Sequence, residues 1–295
     1  MRIAYVVMAH KNPQVLKRTI ATLSSENCAF FIHIDLKSNI NDFSSISGAN
    51  VFFSDERMPV YWGEFSQVEA MLLLLQQAIE RPDNYDYFVL LSGSDYPLRS
   101  GRYTETFLEE NRGSDFMDLV KMPAPGKPIS RIKTLRFQSD KPVRRFAVRA
   151  LAKLGLAQRN YRKYLGNLEP YSGGTWALTR DACHYLLTFI ECNPHVTKYF
   201  QDTFAPDEAF FHTILGNSKF ASRIRRGLFY TDWSARGAHP TMINDRHVAF
   251  FESQEKIFLN DMYGSGEVLF ARKFSDNRLD LLTRIDKMIA RKEKA

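Results

Sequence analysis

Asp86–Leu98 reads DYFVLLSGSDYPL, and the fold of the chain turns on this stretch. Phe88–Leu91 is a short apolar run with Asn84 and Asp86 before it and Ser92-Gly93-Ser94 after it. A strand buried on both faces of a sheet reads this way. Gly93 allows a sharp turn, Asp95 arrives at the carboxyl end of the strand, and Pro97 keeps the strand from continuing. Ligands of open α/β sheets bind just outside such ends. Asp95 is therefore placed to meet a ligand or its metal, or else to bond its own backbone in a turn.

Upstream, the same grammar repeats. Ile3–Met8 is a buried strand broken by Ala9-His10-Lys11-Asn12-Pro13, and Val15–Leu23 carries apolar residues at helical spacing. Ala29–Ile34 is a second strand that ends at Asp35, followed by Lys37-Ser38; Val51–Phe53 is a third, and a helix starting near Ser66 runs through Val68–Ile79. Strands alternating with helices predict an α/β fold whose central sheet is mainly parallel, with helices on both faces. His33 and Asp35 share one face of a strand. They are either a metal pair or, the commoner use of a strand histidine, groups hydrogen-bonded within the fold.

Downstream of Leu98, Tyr103–Glu110 predicts a helix and Asp115–Val120 an edge segment, while Pro123, Pro125 and Pro128 exclude regular structure between them. Segment 131–163 is the most basic part of the chain: Arg131, Lys133, Arg136, Lys141, Arg144, Arg145, Arg149, Lys153, Arg159, Arg162 and Lys163 are interleaved with Phe146, Val148, Leu151, Leu154 and Leu156. Such a helix lies on an anionic membrane or packs its apolar side on the domain. Pro170–Leu178 predicts a turn feeding a strand, its Gly173-Gly174 either bringing backbone close to a ligand or making a tight turn. The helix Asp181–Ile190 follows. Ala205-Pro206-Asp207-Glu208 opens another helix, with Phe210, Phe211, Ile214 and Leu215 on its apolar side; in isolation the helix dipole accounts for both acids. Phe229–Trp233 predicts a strand before a loop with Arg236, Gly237, His239 and Pro240. Asp245-Arg246-His247, Arg272-Lys273 between aromatics, and a closing helix Leu279–Ile289 complete the chain.

The whole composition bounds the function without choosing it. The 295 residues are 44% hydrophobic and 25% charged, ordinary for a globular protein, and 13% aromatic, which is high. A net charge of +7 favours an anionic partner: nucleic acid, an anionic membrane surface or a phosphorylated substrate. Cys28, Cys183 and Cys192 show neither C-x-x-C nor zinc spacing, which suits a reduced compartment. Ile3–Val7 is too short for a signal sequence or a membrane span. The expectation is a cytoplasmic protein, at most peripheral to the inner face of a membrane.

Six stretches, in order along almost the whole chain, resemble the core-2/I-branching β-1,6-N-acetylglucosaminyltransferases and peptide O-xylosyltransferases. They are IAYVVMAHKNP, FIHIDLKS, VYWGEFSQVEAML, LLSGSDYPL, YSGGTWALTRDAC with APDEAFF beyond it, and LFARKF. Segments 123–165 and 241–266 carry little of the likeness. The resemblance implies a GT-A-like, Rossmann-type glycosyltransferase fold over residues 1–295, with a nucleotide-sugar half (1–120) and an acceptor and catalytic half (121–295). It implies a UDP-sugar donor, inversion at the anomeric carbon, a glycan or lipid-linked saccharide acceptor, and no metal or other cofactor. Position by position, it puts Ala9, His10 and Asp35 around the uridine and Asp95 beside the donor. Glu208 becomes the catalytic base, and Arg272 and Lys273 sit on the diphosphate with Arg246, or Arg236 in its place. Trp62, Gly174, Thr175, Trp176, Asp207 and Trp233 are assigned to the substrates. The donor sugar is N-acetylglucosamine, with xylose the alternative. The cysteines and anchor of the animal enzymes are missing, which implies a bacterial relative that builds a surface polysaccharide.

The chemistry agrees with that assignment. Glycosyl transfer needs a base for the acceptor hydroxyl and positive charge at the departing diphosphate. Ser92-Gly93-Ser94-Asp95 lacks the first aspartate of a metal-binding Asp-x-Asp, and arginine and lysine can act as fixed cations in the ion's place. Asp95 is then expected to hold the donor directly. Two other classes compete. A phosphate-transferring enzyme with Asp35 as nucleophile lacks a second aspartate two residues on and any GKS/GKT loop. A non-catalytic basic module on nucleic acid or an anionic surface leaves Glu208 and Trp233 idle, and no nucleic-acid motif accompanies it.

Overall fold

A computed structural model describes residues 1–136, 157–235 and 239–294, together with 146, 150, 151 and 154. The first half builds strand–helix units as the apolar runs require: β1 (Ile3–Ala9), α1 (Pro13–Leu23), β2 (Cys28–Ile34), β3 (Val51–Phe53), α2 (Ser66–Glu80) and β4 (Tyr87–Ser92). Then come β5 (Asp95–Pro97), α3 (Gly101–Glu110), β6 (Asp115–Lys121), the single turn α4 (Ser130–Lys133), α5 (Tyr161–Leu165) and β7 (Tyr171–Thr179). The remainder is α6 (Arg180–Cys192), α7 (Pro194–Phe200), α8 (Phe210–Gly216), β8 (Ile224–Arg225), β9 (Phe229–Thr231), α9 (Asp245–Ser253), β10 (Phe258–Asp261), β11 (Gly264–Glu267), β12 (Phe270–Arg272) and α10 (Leu279–Lys292).

Among the described residues the large sheet runs β3-β2-β1-β4-β7-β6-β8. Neighbours from β3 to β4 are parallel and β7 is antiparallel to both β4 and β6, so the sheet is mixed but mainly parallel, as in a GT-A-like fold. β1, β2 and β4 are nearly continuous apolar runs because both faces are covered. One face packs on α2, α6 and α8, and the other on α1 and α3. A third apolar cluster joins α9 and α10 to a small sheet, β5-β12-β9.

That small sheet corrects the opening stretch. Pro97 does not merely end β4; after the turn at Gly93 the chain re-enters as β5, with Pro97 opposite Phe270. β5 is an edge of the small sheet, where a residue without an N–H is tolerated. Gly93 makes room for the turn, since a Cβ there would stand 2.8 Å from that of Ala9. Other departures have equally local causes. β6 is covered by the short β8 instead of forming the edge. The helix expected from Ala205 onward is divided into a 3-10 turn, Pro206–Glu208, and α8, because Ala209 leaves the helical region (φ −132°). Glu208 therefore does not sit in the first turn of an α-helix. Gly173 and Gly174 lie within β7.

Where the carboxyl ends of β1, β4 and β12 converge, Asn12 ties the loops together. In the left-handed conformation (φ 60°), its side-chain amide donates to Ser94 Oγ at 2.8 Å and to the Phe274 carbonyl at 3.3 Å. The first amides of α1, at Gln14 and Val15, donate to the Asp276 carboxylate. That helix N-terminus, which in dinucleotide-binding folds receives a phosphate, is thus occupied by the protein's own acid.

The strictest steric requirement falls on Gly173. A Cβ there would lie 1.5 Å from the Asp118 carbonyl oxygen, at the irregularity in β6–β7 pairing, and 2.7 Å from His212 Cδ2, whereas at Gly174 the nearest atom is 3.2 Å away. Backbone cannot yield as a flexible side chain can. Gly173→Ala is expected to cost about 3 kcal/mol or more and Gly174→Ala about 1 kcal/mol or less. Urea denaturation of the two variants checks this, and equal midpoints would contradict it.

Candidate active site

The carboxyl end of the sheet gathers cations. Lys11 follows β1, Lys37 follows β2, Arg272 ends β12 and Lys273 follows it. Burial, Arg272 and Lys11 lower the Lys273 ammonium below the ordinary lysine value, although Asp95 acts the other way. His10, on the loop after β1, is lowered by burial and by Lys11, Lys273 and Lys37. Like charges that depress one another across strand ends are stable together only when an anion is shared among them or solvent screens them. Because the α1 N-terminus is closed by Asp276, side chains are what this region offers an anion.

Asp35 and Asp95 lie beneath that layer. Burial raises the Asp35 carboxyl, but Lys37 more than offsets it: the ammonium donates to Oδ1 at 2.9 Å and Oδ2 at 2.7 Å, and the Lys37 and Val60 amides add to Oδ1. The Ala9 carbonyl accepts from the Asp35 amide at 2.9 Å, so the ends of β1 and β2 are locked side by side. His33 is hydrogen-bonded within the fold: its Nε2 accepts from the Met58 amide at 3.0 Å, and burial lowers its pKa. Among the described residues no three His, Cys, Asp or Glu side chains stand together so as to hold a metal ion.

Asp95 corrects an expectation. Instead of facing a donor it is 0% exposed, with Oδ2 accepting from the Ser92 amide at 2.7 Å and Oδ1 from the Ser92 hydroxyl at 2.9 Å. Arg272 Nε stands 3.2 Å from Oδ1. The carboxylate is enclosed because the chain turns back into β5 over it. Its place is behind Arg272, which it orients.

Opposite the cations, the Pro206–Glu208 turn carries two adjacent acids in unlike surroundings. Asp207 is pushed up to about 7 by burial and by the neighbouring Glu208 charge, against weaker pulls from Lys127 and Arg272. Among the described residues its Oδ1 is buried without a partner, and Gln67 Nε2 donates to Oδ2 at 3.4 Å. Burial also raises Glu208, but Lys127 and Arg131 reverse the effect and hold it below the usual glutamate value. Lys127 Nζ is 2.5 Å from Oε2, and Arg131 binds the same oxygen. His212 is fully buried, its ring nitrogens without a close hydrogen-bond partner among the described residues, and burial carries its pKa down to about 3. Asp118, pushed up to about 6 by burial, accepts from the Gly227 amide at 3.0 Å.

The other assigned residues divide clearly. Trp62 is 58% exposed and Trp233 51%. Thr175 and Gly174 are half-buried in β7, where the glycines admit the Asp118 backbone and carboxylate instead of a ligand. Trp176 is 1% exposed and packs on Phe211, 5.7 Å between ring centroids, so it belongs to the core and lines no open cleft. Arg246 is exposed in the first turn of α9, whose approach is set by the Ile243 amide donating to the Lys273 carbonyl. Arg236 and Gly237 lie outside the described residues, as do Lys141, Arg144, Arg145, Val148, Arg149, Lys153 and Leu156.

Lys127 and Arg131 were not singled out as site residues by sequence. Lys127 falls among the three prolines and Arg131 begins the basic run, so both look like surface charge. The one available signal was that run's excess of cations beside a lone pair of acids. In the basic segment Arg131 serves Glu208, Arg136 covers the Phe204 ring at 4.9 Å and Arg159 the Tyr199 ring at 3.8 Å, while Phe146 and Leu154 are exposed. No helix among the described residues is long and apolar enough to cross a membrane.

Known proteins can be set beside this geometry. Xylosyltransferase 2 of Canis lupus familiaris is 28% identical over 251 residues, covering 80% of this chain and 27% of that protein. Xylosyltransferase 1 of the same species is 26% identical over 253 residues, covering 80% and 24%. Xylosyltransferase sqv-6 of Caenorhabditis briggsae is 24% identical over 294 residues, covering 92% and 34%. The chain thus spans about a quarter to a third of the length of these relatives. A solved structure from Bacillus anthracis, assigned as a glucose-1-phosphate thymidylyltransferase in complex with a sucrose, superposes at a TM-score of 0.29 with 13% identity, covering 67% of this chain and 82% of that one. That likeness is too low to bear on function. Residues 3–255, from the first strand to just beyond α9, match the Core-2/I-branching enzyme family, and the chain belongs to that family of glycosyltransferases.

Proposed function

We propose that the protein transfers a sugar from a UDP-sugar to a hydroxyl of a glycan or lipid-linked saccharide, with inversion and without a metal ion, in the assembly of a bacterial surface polysaccharide. The observation that carries the reading is that the fold brings opposite charges within electrostatic reach, Arg272 acting on Asp207 beside Glu208. An ionised Glu208 stands on the Pro206–Glu208 turn, and a crowded set of cations, Arg272 and Lys273 foremost, stands at the end of β12. Residues 1–120 and the returning β12 hold the nucleotide, with Ala9, His10 and Asp35 toward the uridine, and residues 121–295 supply the base and the acceptor side. N-acetylglucosamine is the donor sugar the family resemblance favours, and the xylosyltransferase relatives keep xylose in contention.

In this reading the acceptor O–H bond breaks with its proton passing to Glu208. The acceptor oxygen bonds to the anomeric carbon from the face opposite the diphosphate, and the C–O bond to the diphosphate breaks with its electron pair leaving on UDP. Lys127 and Arg131 both bind Oε2, so Oε1 is the oxygen assigned to the hydroxyl. Arg272 and Lys273 take up the negative charge that develops on the leaving group. Asp95 orients Arg272 from behind.

Glu208→Gln keeps shape and removes the base, so transfer should fall by about 10²–10⁴-fold while UDP affinity stays within about twofold. Retained activity in a steady-state assay would sink the assignment. Lys273→Ala should weaken UDP binding and slow turnover together, in EDTA as well as without it; wild-type activity abolished by EDTA and restored by manganese would point to a metal instead. The pH profile offers a separate check. Because its two cations hold Glu208 below the usual glutamate value, the acid limb of kcat/KM should lie below that value, and Lys127→Met should move the limb upward. A limb that does not move would separate Lys127 from the base.

A further inference from the structure

Beside Glu208 the molecule exposes an aromatic shelf that nothing in the nucleotide chemistry requires. Trp62, 58% exposed, meets the edges of Phe204 and His239 with ring centroids 5.6 and 5.2 Å away. Arg136, itself exposed, lies over the Phe204 ring at 4.9 Å. The shelf is joined to the base by short backbone ties. The Ala205 amide donates to the Gly63 carbonyl at 2.9 Å, the Phe204 amide to the Arg131 carbonyl at 2.9 Å, and the Arg136 amide to the Asp202 carbonyl at 2.8 Å. Gly63, at φ +72°, lets Phe204 approach so closely that a Cβ there would touch the ring at 3.0 Å. Trp62 is thus held against Phe204, and its neighbour Gly63 is bonded to Ala205, which precedes the Pro206–Glu208 turn.

We propose that the acceptor is an acidic saccharide, carrying carboxylate or phosphate groups, that seats a sugar ring on Trp62 and its negative charge against Arg136 and the cations behind it. This rests on the glycosyl-transfer reading and adds the chemical class of the acceptor. An exposed indole matches the C–H face of a pyranose, and a guanidinium over a ring can turn its N–H groups to an anion's oxygens. The adjoining charge has the matching sign: Arg136 lies over Phe204, and Arg131 is tied to it through the backbone. Of the carboxylates nearby, Glu208 is neutralised by Lys127 and Arg131, while Glu64 and Asp202 have partners of their own. A neutral acceptor would need the shelf but not the cations.

The test uses the full chain and two matched pairs of probes: an oligosaccharide of alternating glucuronic acid and N-acetylglucosamine with its carboxyl-reduced twin, and a phosphorylated mannose oligosaccharide with its dephosphorylated twin. Binding is read by calorimetry with UDP present. At least one acidic probe should bind about tenfold tighter than its neutral twin at low salt, and the gap should close as salt rises from about 50 to about 500 mM. Which pair responds identifies carboxylate or phosphate as the anion. Arg136→Gln should remove most of the gap, and Trp62→Ala should weaken both members of the pair. Equal binding of the twins overturns the proposal, as does binding to phosphatidylglycerol vesicles with none to saccharides. If UDP itself fails to bind, the glycosyl-transfer reading falls; if UDP binds and the twins are equal, only the acidic acceptor falls.

Discussion

A carboxylate with no exposed surface holds the site together. Asp95 is enclosed where β4 turns into β5, and its charge is stable there because the Ser92 amide, the Ser92 hydroxyl and Arg272 surround it. Removing one partner of a buried pair leaves the other uncompensated, typically at about 3–5 kcal/mol. The same contacts bind the large sheet to the small one, since Ser92 ends β4 and Arg272 ends β12. Thr19 Oγ1 donates to the Asp95 carbonyl, which brings α1 into the junction. The position of the cleft's cations is therefore inherited from the packing of two sheets.

Adjacent acids meet different fates on the opposite side. Asp207 and Glu208 are neighbours in sequence, yet one is carried up to about 7 and the other held below the glutamate norm. The 3-10 turn sends Asp207 inward, toward Gln67 and away from other donors, and Glu208 toward Lys127 and Arg131. Two carboxyl groups whose surroundings separate their proton affinities can divide the work of a site, one staying ionised while the other carries a proton near neutrality.

Much of this was legible in the sequence because the signals were local. β1, β2 and β4 announce themselves as apolar runs, α1 and α2 by their spacing, and the sharp turn at Gly93 by residue type. The acids at strand ends were also visible: Asp35 directly follows β2, and Asp95 opens β5 just after β4. What escaped were pairings between distant segments. Nothing near Asp95 says that Arg272 will cover it, and nothing near Glu208 says that a lysine among prolines will reach its carboxylate. Gly173-Gly174 looked like a ligand loop because a strand pressed against a neighbour's irregularity needs the same absence of Cβ. Trp176 looked like a binding residue because a tryptophan after glycines fits a pocket as readily as a core.

β12 is the middle strand of β5-β12-β9, so residues 270–272 complete a sheet whose other members were made long before. Contacts of such long sequence separation are slow to close. During synthesis the large sheet can assemble while Asp95 still lacks its guanidinium and the anion site still lacks Arg272 and Lys273. The strands of the large sheet therefore find one another by apolar contact, before the charged pair that joins them to the small sheet exists.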